Sequence, residues 1–233
     1  MIKLKTHLKE FESVIKIIGK ISQETDYDFT AEGIKVRAVD TSGTYLGIFN
    51  IKKEMFDEYE LEKDTIITIS NELFGKLVKK VGKKELWIDF TEDEIVLSNP
   101  KEKFSLKYFV GQRDERPDPT PNCTSVWKMK SDEFTKIISE METLGVICCL
   151  DGAEELTMKM KSNMVKGEVI TTAEKIQSED CFCFYDLGMM APMVECKNIF
   201  KELRVGFGPE VPCVVKGTND YLNFLYVVAP RVE

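Results

Sequence analysis

Two hydrophobic rhythms run along the chain. In "HLKEFESVIKIIGKIS", Leu8, Phe11, Val14, Ile15, Ile18 and Ile21 recur at three- and four-residue steps, which predicts an amphipathic helix. "NELFGKLVKKVG" repeats the rhythm, with Leu73, Phe74, Leu77, Val78 and Val81 facing inward. The rest of the first half reads as strands: "GIKVRAVD", "YLGIFNI", "TIITIS", "ELWIDF", "EIVLSN" and "KFSLKYFV", separated by polar or glycine-containing breaks.

The second half follows the same order. "KMKSDEFTKIISEMETLG" carries Phe134, Ile137, Ile138, Met141 and Leu144, which fall on Phe11, Val14, Ile15, Ile18 and Ile21 after a shift of 123 positions. "EELTMKM" then stands where "GIKVRAV" stood. A last helix is expected in "APMVECKNIFKELR", placing Ile199 and Phe200 opposite Leu77 and Val78. This is the pattern of an α+β fold built from a duplicated domain. Between the copies lies "GQRDERPDPTPNC", with three prolines, many charges and no large apolar residue, which is linker chemistry. The expected division is 1–111, a connector at 112–123, and 124–233. The tail "YLNFLYVVAPRVE" has Leu222, Phe224, Tyr226 and Val228 at strand spacing, with Leu225 and Val227 apolar on the other face; Pro230 must end the strand.

At 233 residues, 43% of them hydrophobic and 31% charged, the chain can bury one large core or two smaller ones. No apolar run reaches the roughly 20 residues of a membrane span, and "MIKLKTHLKEF" lacks the apolar core of a signal peptide. Seven cysteines without such a signal fit free thiols in a reducing compartment, cytoplasmic or nuclear. Chemistry is scarce. His7 is the only histidine, Cys148-Cys149 and Cys181-Phe182-Cys183 lack zinc-site spacing, and no glycine-rich phosphate loop is present. These features point away from an enzyme, a metal site or a cofactor.

The net charge of −8 argues against nucleic acid until the cations are placed. Opposite the first helix's apolar stripe lie Lys9, Ser13, Lys16 and Lys20. The second exposes Lys76, Lys79, Lys80 and Lys83, and the last presents Lys197, Lys201 and Arg204 at four-three steps. The third is weaker, with Lys136 near Glu140 and Asp132. Taken singly, such faces are ordinary solvated helix surfaces. Facing one space, they would line a surface for a phosphate backbone, read without base contacts because no aromatics are interleaved.

The full-length pattern resembles the sliding clamps of archaea and eukaryotes, the proliferating cell nuclear antigen family. The motifs are "EGIKVRAVDTSGTYLGIF", "FDEYE", "VPCVVKG" and the closing "VVAPRVE". The resemblance implies two tandem clamp domains, a ring of three subunits around duplex DNA, and a lining of helices that includes Lys20, Lys76, Lys79, Lys136 and Lys201. It implies tethering of polymerase, clamp loader, flap endonuclease and ligase type proteins, whose peptides enter a pocket formed here by Val39, Thr44, Leu46, Pro212, Val227, Ala229, Pro230 and Arg231. Thr44 stands where the family often has an aliphatic residue, and the connector lacks wall-forming apolar residues. Ring closure would join Lys101–Val110 of one subunit to about Asn163–Thr171 of the next, removing exposed strand edges. A subunit of a heterotrimeric or checkpoint-type clamp, a viral monomeric or dimeric version, and a peptide-binding scaffold that never encircles DNA share these features.

Overall fold

The computed structural model describes residues 1–231, so the final two residues of the "VVAPRVE" motif lie outside the described residues. The chain divides into two compact units. The first comprises Met1–Thr41, Gly47–Pro117 and Asn219–Asn223; the second comprises Ser42–Leu46, Asp118–Thr218 and Phe224–Glu233.

In the first unit, strand β1 (Ile2–Leu4) leads into helix α1 (Leu8–Ile21), followed by β2 (Glu24–Thr30), β3 (Gly33–Val39) and β4 (Tyr45–Lys52). After β5 (Glu58–Tyr59) and β6 (Thr65–Ser70) comes helix α2 (Asn71–Val81), then β7 (Leu86–Phe90), β8 (Glu94–Ser98), β9 (Lys103–Lys107) and β10 (Phe109–Val110). Strands β5-β1-β7-β8-β9 form one antiparallel sheet, and β10-β6-β2-β3-β4 stand in that order in another. The core holds the α1 stripe, with Phe29 of β2 edge-on to Phe90 of β7 at 4.8 Å. At the β2–β3 turn Gly33 has φ +137°, and a Cβ there would lie 2.0 Å from the Ile51 carbonyl oxygen. Only glycine fits such a position.

The expected strand "KFSLKYFV" is two strands: β9 stays at an edge of the first sheet, while β10 crosses to pair with β6. Strands β1 and β2 were absent from the sequence reading, although "ETDYDFT" alternates buried Thr25, Tyr27 and Phe29 with more exposed acidic residues. Ser13, expected outward, is buried at 3% exposure, and Leu73, expected inward, is 48% exposed. The buried positions of α2 are Asn71, Phe74, Val78 and Val81, and Leu73 falls off that stripe.

Buried Asn71 joins three elements. Its amide nitrogen donates to the Ser22 carbonyl just beyond α1 and to the Thr25 hydroxyl, both at 2.8 Å. Its carbonyl oxygen accepts the Tyr27 hydroxyl at 2.8 Å, and its backbone N–H donates to the Gln23 carbonyl. Burial pushes the Tyr27 phenol far above its ordinary range, so it stays a neutral donor.

The second unit contains β11 (Ser125–Lys130), α3 (Ser131–Glu142), β12 (Ile147–Gly152), β13 (Leu156–Lys161), β14 (Lys166–Ile170), β15 (Glu174–Ser178) and β16 (Phe182–Asp186). Helix α4 (Leu187–Met190), a 3-10 segment (Ala191–Asn198), β17 (Glu202–Gly208), β18 (Val211–Thr218) and β19 (Leu222–Val228) complete it. One four-stranded sheet runs β14-β13-β12-β16, and β19-β18-β17-β11-β15 stand in order in the other. Leu144, expected on the apolar face of α3, lies past its end and is 53% exposed.

The long last helix expected over "APMVECKNIFKELR" is not formed. Leu187, Met190, Met193, Cys196 and Ile199 are buried at every third position, which is the 3-10 period rather than the α period. Pro192 supports the start of this segment, and the chain enters β17 at Glu202. The helix caps Ser70 and Asp186 stand 116 positions apart, against 123 for Phe11 and Phe134, so the offset between the halves is not constant.

Replacing Asn71 with Ala strands the buried Tyr27 hydroxyl and the Ser22 carbonyl. We expect Asn71→Ala to destabilise the first unit by about 2–3 kcal/mol, read from its urea midpoint. A loss below about 0.5 kcal/mol would show that water replaces the amide at no cost.

Candidate binding surfaces

Helices α1 and α2 pack against each other through two glycines. A Cβ on Gly75 would sit 3.6 Å from Ile15, and one on Gly19 would sit 3.7 Å from the Asn71 Cβ. Side chains larger than a methyl at these places would push the helices apart. Lys9, Lys16 and Lys20 of α1 and Lys76, Lys79 and Lys80 of α2 are all exposed on this pair. Lys16 is 3.3 Å from Glu12, and Lys76 binds Glu72 one turn away, which holds the Glu72 carboxyl below its usual range. The Lys80 ammonium lies 4.8 Å from the Phe104 ring centroid, so it points toward β9. Lys83 is exposed just past Gly82, beyond the end of α2.

The second unit differs. Helix α3 exposes Asp132, Glu140 and Glu142, and its Lys136 stands 3.8 Å from Glu140. Lys197, Lys201 and Arg204 do not share a helix face. Lys197 lies in the last turn of the 3-10 segment, Lys201 lies in the bend where its carbonyl accepts the Ser131 N–H at 2.9 Å, and Arg204 is an exposed β17 residue opposite Lys128. The three-residue apolar spacing of 187–199 was the signal that the four-three reading of these cations overlooked.

The tail forms a built surface within the second unit. The Ala229 N–H donates to the Thr44 carbonyl at 2.8 Å, and the Tyr45 and Tyr226 rings approach to 6.2 Å. The Arg231 N–H donates to the Phe184 carbonyl at 2.8 Å, and its guanidinium reaches Asp186 at 3.1 Å. Asp186 also caps α4 through the Gly188 N–H. Val227 is buried, whereas Thr44, Leu46, Pro212, Ala229 and Pro230 are half-buried. Val39 belongs to the first unit, half-buried on β3.

The first part of the connector is exposed and free of regular structure, as its linker chemistry implies, but it is also held by ion pairs that the sequence does not mark. Arg37 contacts Asp114 at 3.1 Å and donates to the Arg116 carbonyl at 2.9 Å; Arg113 donates to both carboxylate oxygens of Asp28. Hydrogen bonding from the Arg116 side chain, aided by its backbone N–H and by the Arg37 charge, lowers the Asp114 pKa to about 2.

Strands β9 and β14 each lie at the edge of their sheet. Among the described residues no three His, Cys, Asp or Glu side chains are grouped to hold a metal ion, and no helix is long and apolar enough to cross a membrane.

Residues 4–108 match the family model "Proliferating cell nuclear antigen, N-terminal domain". A DNA polymerase sliding clamp of Nanoarchaeum equitans is 22% identical, with 97% of each chain covered. DNA polymerase sliding clamp 3 of Sulfurisphaera tokodaii is 25% identical, with 96% of each covered. By these matches the chain is similar to the proliferating cell nuclear antigen family of sliding clamps. Solved clamps share its fold over the full length. A chain of the PCNA2-PCNA3 complex from Sulfolobus tokodaii matches at TM-score 0.86 and 21% identity, covering 100% of this chain and 99% of that one. The Entamoeba histolytica antigen matches at 0.87 and 18%, covering 99% and 98%.

The Arg231–Asp186 pair is partly exposed. Arg231→Ala should cost about 0.2–1 kcal/mol and speed exchange of the Ala229 amide about two- to fivefold. Unchanged exchange would show that the backbone bonds alone seat the tail.

Proposed function

We propose that this chain is a DNA polymerase processivity factor: a clamp that closes as a trimeric ring around duplex DNA, slides on it and tethers replication and repair enzymes. The observation that carries the reading is the lysine surface of the paired α1 and α2, where Lys9, Lys16, Lys20, Lys76 and Lys79 are exposed on a chain whose net charge is −8. Contacts of that kind neutralise phosphates without reading bases, so they permit sliding. The fold supplies retention by topology, and no bond is made or broken. Ring closure pairs β9 of one subunit with β14 of the next, covering two open edges. Lys9, Lys16, Lys20, Lys76 and Lys79 face the duplex; Lys80, Lys83, Lys136, Lys197, Lys201 and Arg204 stand further from that role, given their placements above.

Partner peptides of polymerase, clamp loader, nuclease and ligase type proteins dock on the tail surface, where Leu46, Pro212, Ala229 and Pro230 supply apolar contact. Thr44 adds a hydroxyl, which favours a more polar anchor.

A second reading has one specific support. The acidic face of α3 and the lack of a basic helix at 191–204 leave the second unit poor in DNA-facing cations. That suits a heteromeric ring in which unlike subunits supply them.

Light scattering across a dilution series is expected to give about three times the 26.7 kDa chain mass. A monomer at every concentration would favour the heteromeric reading. Lys76→Glu with Lys79→Glu should leave that mass intact and lower retention on nicked circular DNA by about tenfold or more. Full retention would remove the lysine surface from the DNA path. Ala229→Asp should weaken a partner peptide by about tenfold or more in calorimetry. Undiminished heat would remove the tail surface from the docking role.

A further inference from the structure

The antiparallel register of the β14-β13-β12-β16 sheet sorts its side chains into cross-strand rows. On the face away from the core, one row reads Phe184, Cys149, Lys159, Glu168, and the next reads Asp186, Ile147, Lys161, Lys166. A cavity of about 520 Å³ opens over these rows. Its floor is Cys149, Ile147 and Phe184. Burial pushes the Cys149 thiol up to about 11, so it is neutral and behaves as an apolar group.

The charges around this floor do not cancel. Lys159 donates to Asp151 at 2.5 Å and lies directly opposite Glu168. Asp186 is committed to Arg231 and to the start of α4. Lys161 and Lys166 remain, directly opposite each other across β13 and β14, and among the described residues neither has an ion-pair partner. Two like charges at such a position repel, and a carboxylate placed between them relieves the repulsion. Beside the floor, Phe182 is 60% exposed and packs edge-on against Phe184 at 5.8 Å, extending the apolar strip along β16.

We propose that this cavity is a docking site for an acidic peptide of a partner protein, adjoining the tail surface at Phe184 but with a floor of its own, with one aliphatic or aromatic side chain on the Cys149–Ile147 floor and flanking carboxylates held by Lys161 and Lys166. The apolar floor selects for a hydrophobic residue, and the lysine pair selects the sign of its neighbours.

The test uses the full chain and a fluorescein-labelled peptide, Glu-Leu-Glu-Phe-Glu-Leu, followed by anisotropy. Saturable binding is expected that weakens about fivefold or more between about 50 and 300 mM salt. Hexaglutamate, which has no apolar side chain, and Lys-Leu-Lys-Phe-Lys-Leu should each bind at least about tenfold more weakly. Lys161→Glu with Lys166→Glu should reduce binding by about tenfold or more, with circular dichroism and solution mass unchanged. Ala229→Asp should leave binding as it is. Equal binding by hexaglutamate would reduce the site to a charge effect and overturn the proposal. So would undiminished binding by the double variant, or its loss in Ala229→Asp. A change of solution mass in the double variant would make the face a contact between copies instead, and preferential displacement of the peptide by short duplex DNA would assign the lysines to phosphate.

Discussion

The satisfied Asn71 amide is the constraint on which the first unit depends. It stands at the start of α2, yet its partners are the chain just beyond α1 and two residues of β2. An apolar residue there would leave a carbonyl and two hydroxyls to find other partners, and a charged one would be buried without a counter-ion. With the amide in place, the relative rotation of the helices is fixed. Gly19 and Gly75 then let them approach closely. The lysine surface follows from that packing: the residues are exposed because of where the helices lie, and the helices lie there because of a buried polar contact.

The second unit repeats the architecture without repeating this solution. Its counterpart to α2 is a short helix running into a 3-10 segment, and its buried residues keep a period of three. A 3-10 turn gives a narrower outer face and ends sooner. The cations that follow therefore fall on a bend and a strand. Charge and geometry diverge together between the halves, with α3 carrying acids where α1 carries lysines.

Much of this was legible in the chain. The α1 stripe, the strands from "GIKVRAVD" to "EIVLSN" and the apolar tail all rest on periodicity, which survives folding because one face must be buried. What was missed has local causes. Strand β2 hid because Asp26 and Asp28 give it an acidic look, although its alternate positions are apolar or small. "KFSLKYFV" read as one strand because nothing in its composition marks the change of sheet at Tyr108. Leu73 was assigned inward on hydrophobicity, while the capping geometry of Ser70 and the burial of Asn71 set the helix phase instead. The ion pairs Arg37–Asp114 and Arg113–Asp28 join residues more than 75 positions apart in sequence and leave no periodic trace. The same holds for the cross-strand rows behind Lys161 and Lys166, which exist only once the register is known.

The ion-held connector separates two kinds of evolutionary risk. Its contacts are charge pairs at the edge of the fold, partly covered, each worth on the order of 1 kcal/mol, and other opposite pairs could replace them. A mutation at Arg113 or Asp114 can therefore alter what an approaching protein meets while leaving both cores intact. A mutation at Asn71 has no such latitude, because the fold itself is the casualty. Drift through connector sequences can reshape the surface this chain offers to other proteins, while the helices beneath the lysines stay under strict constraint.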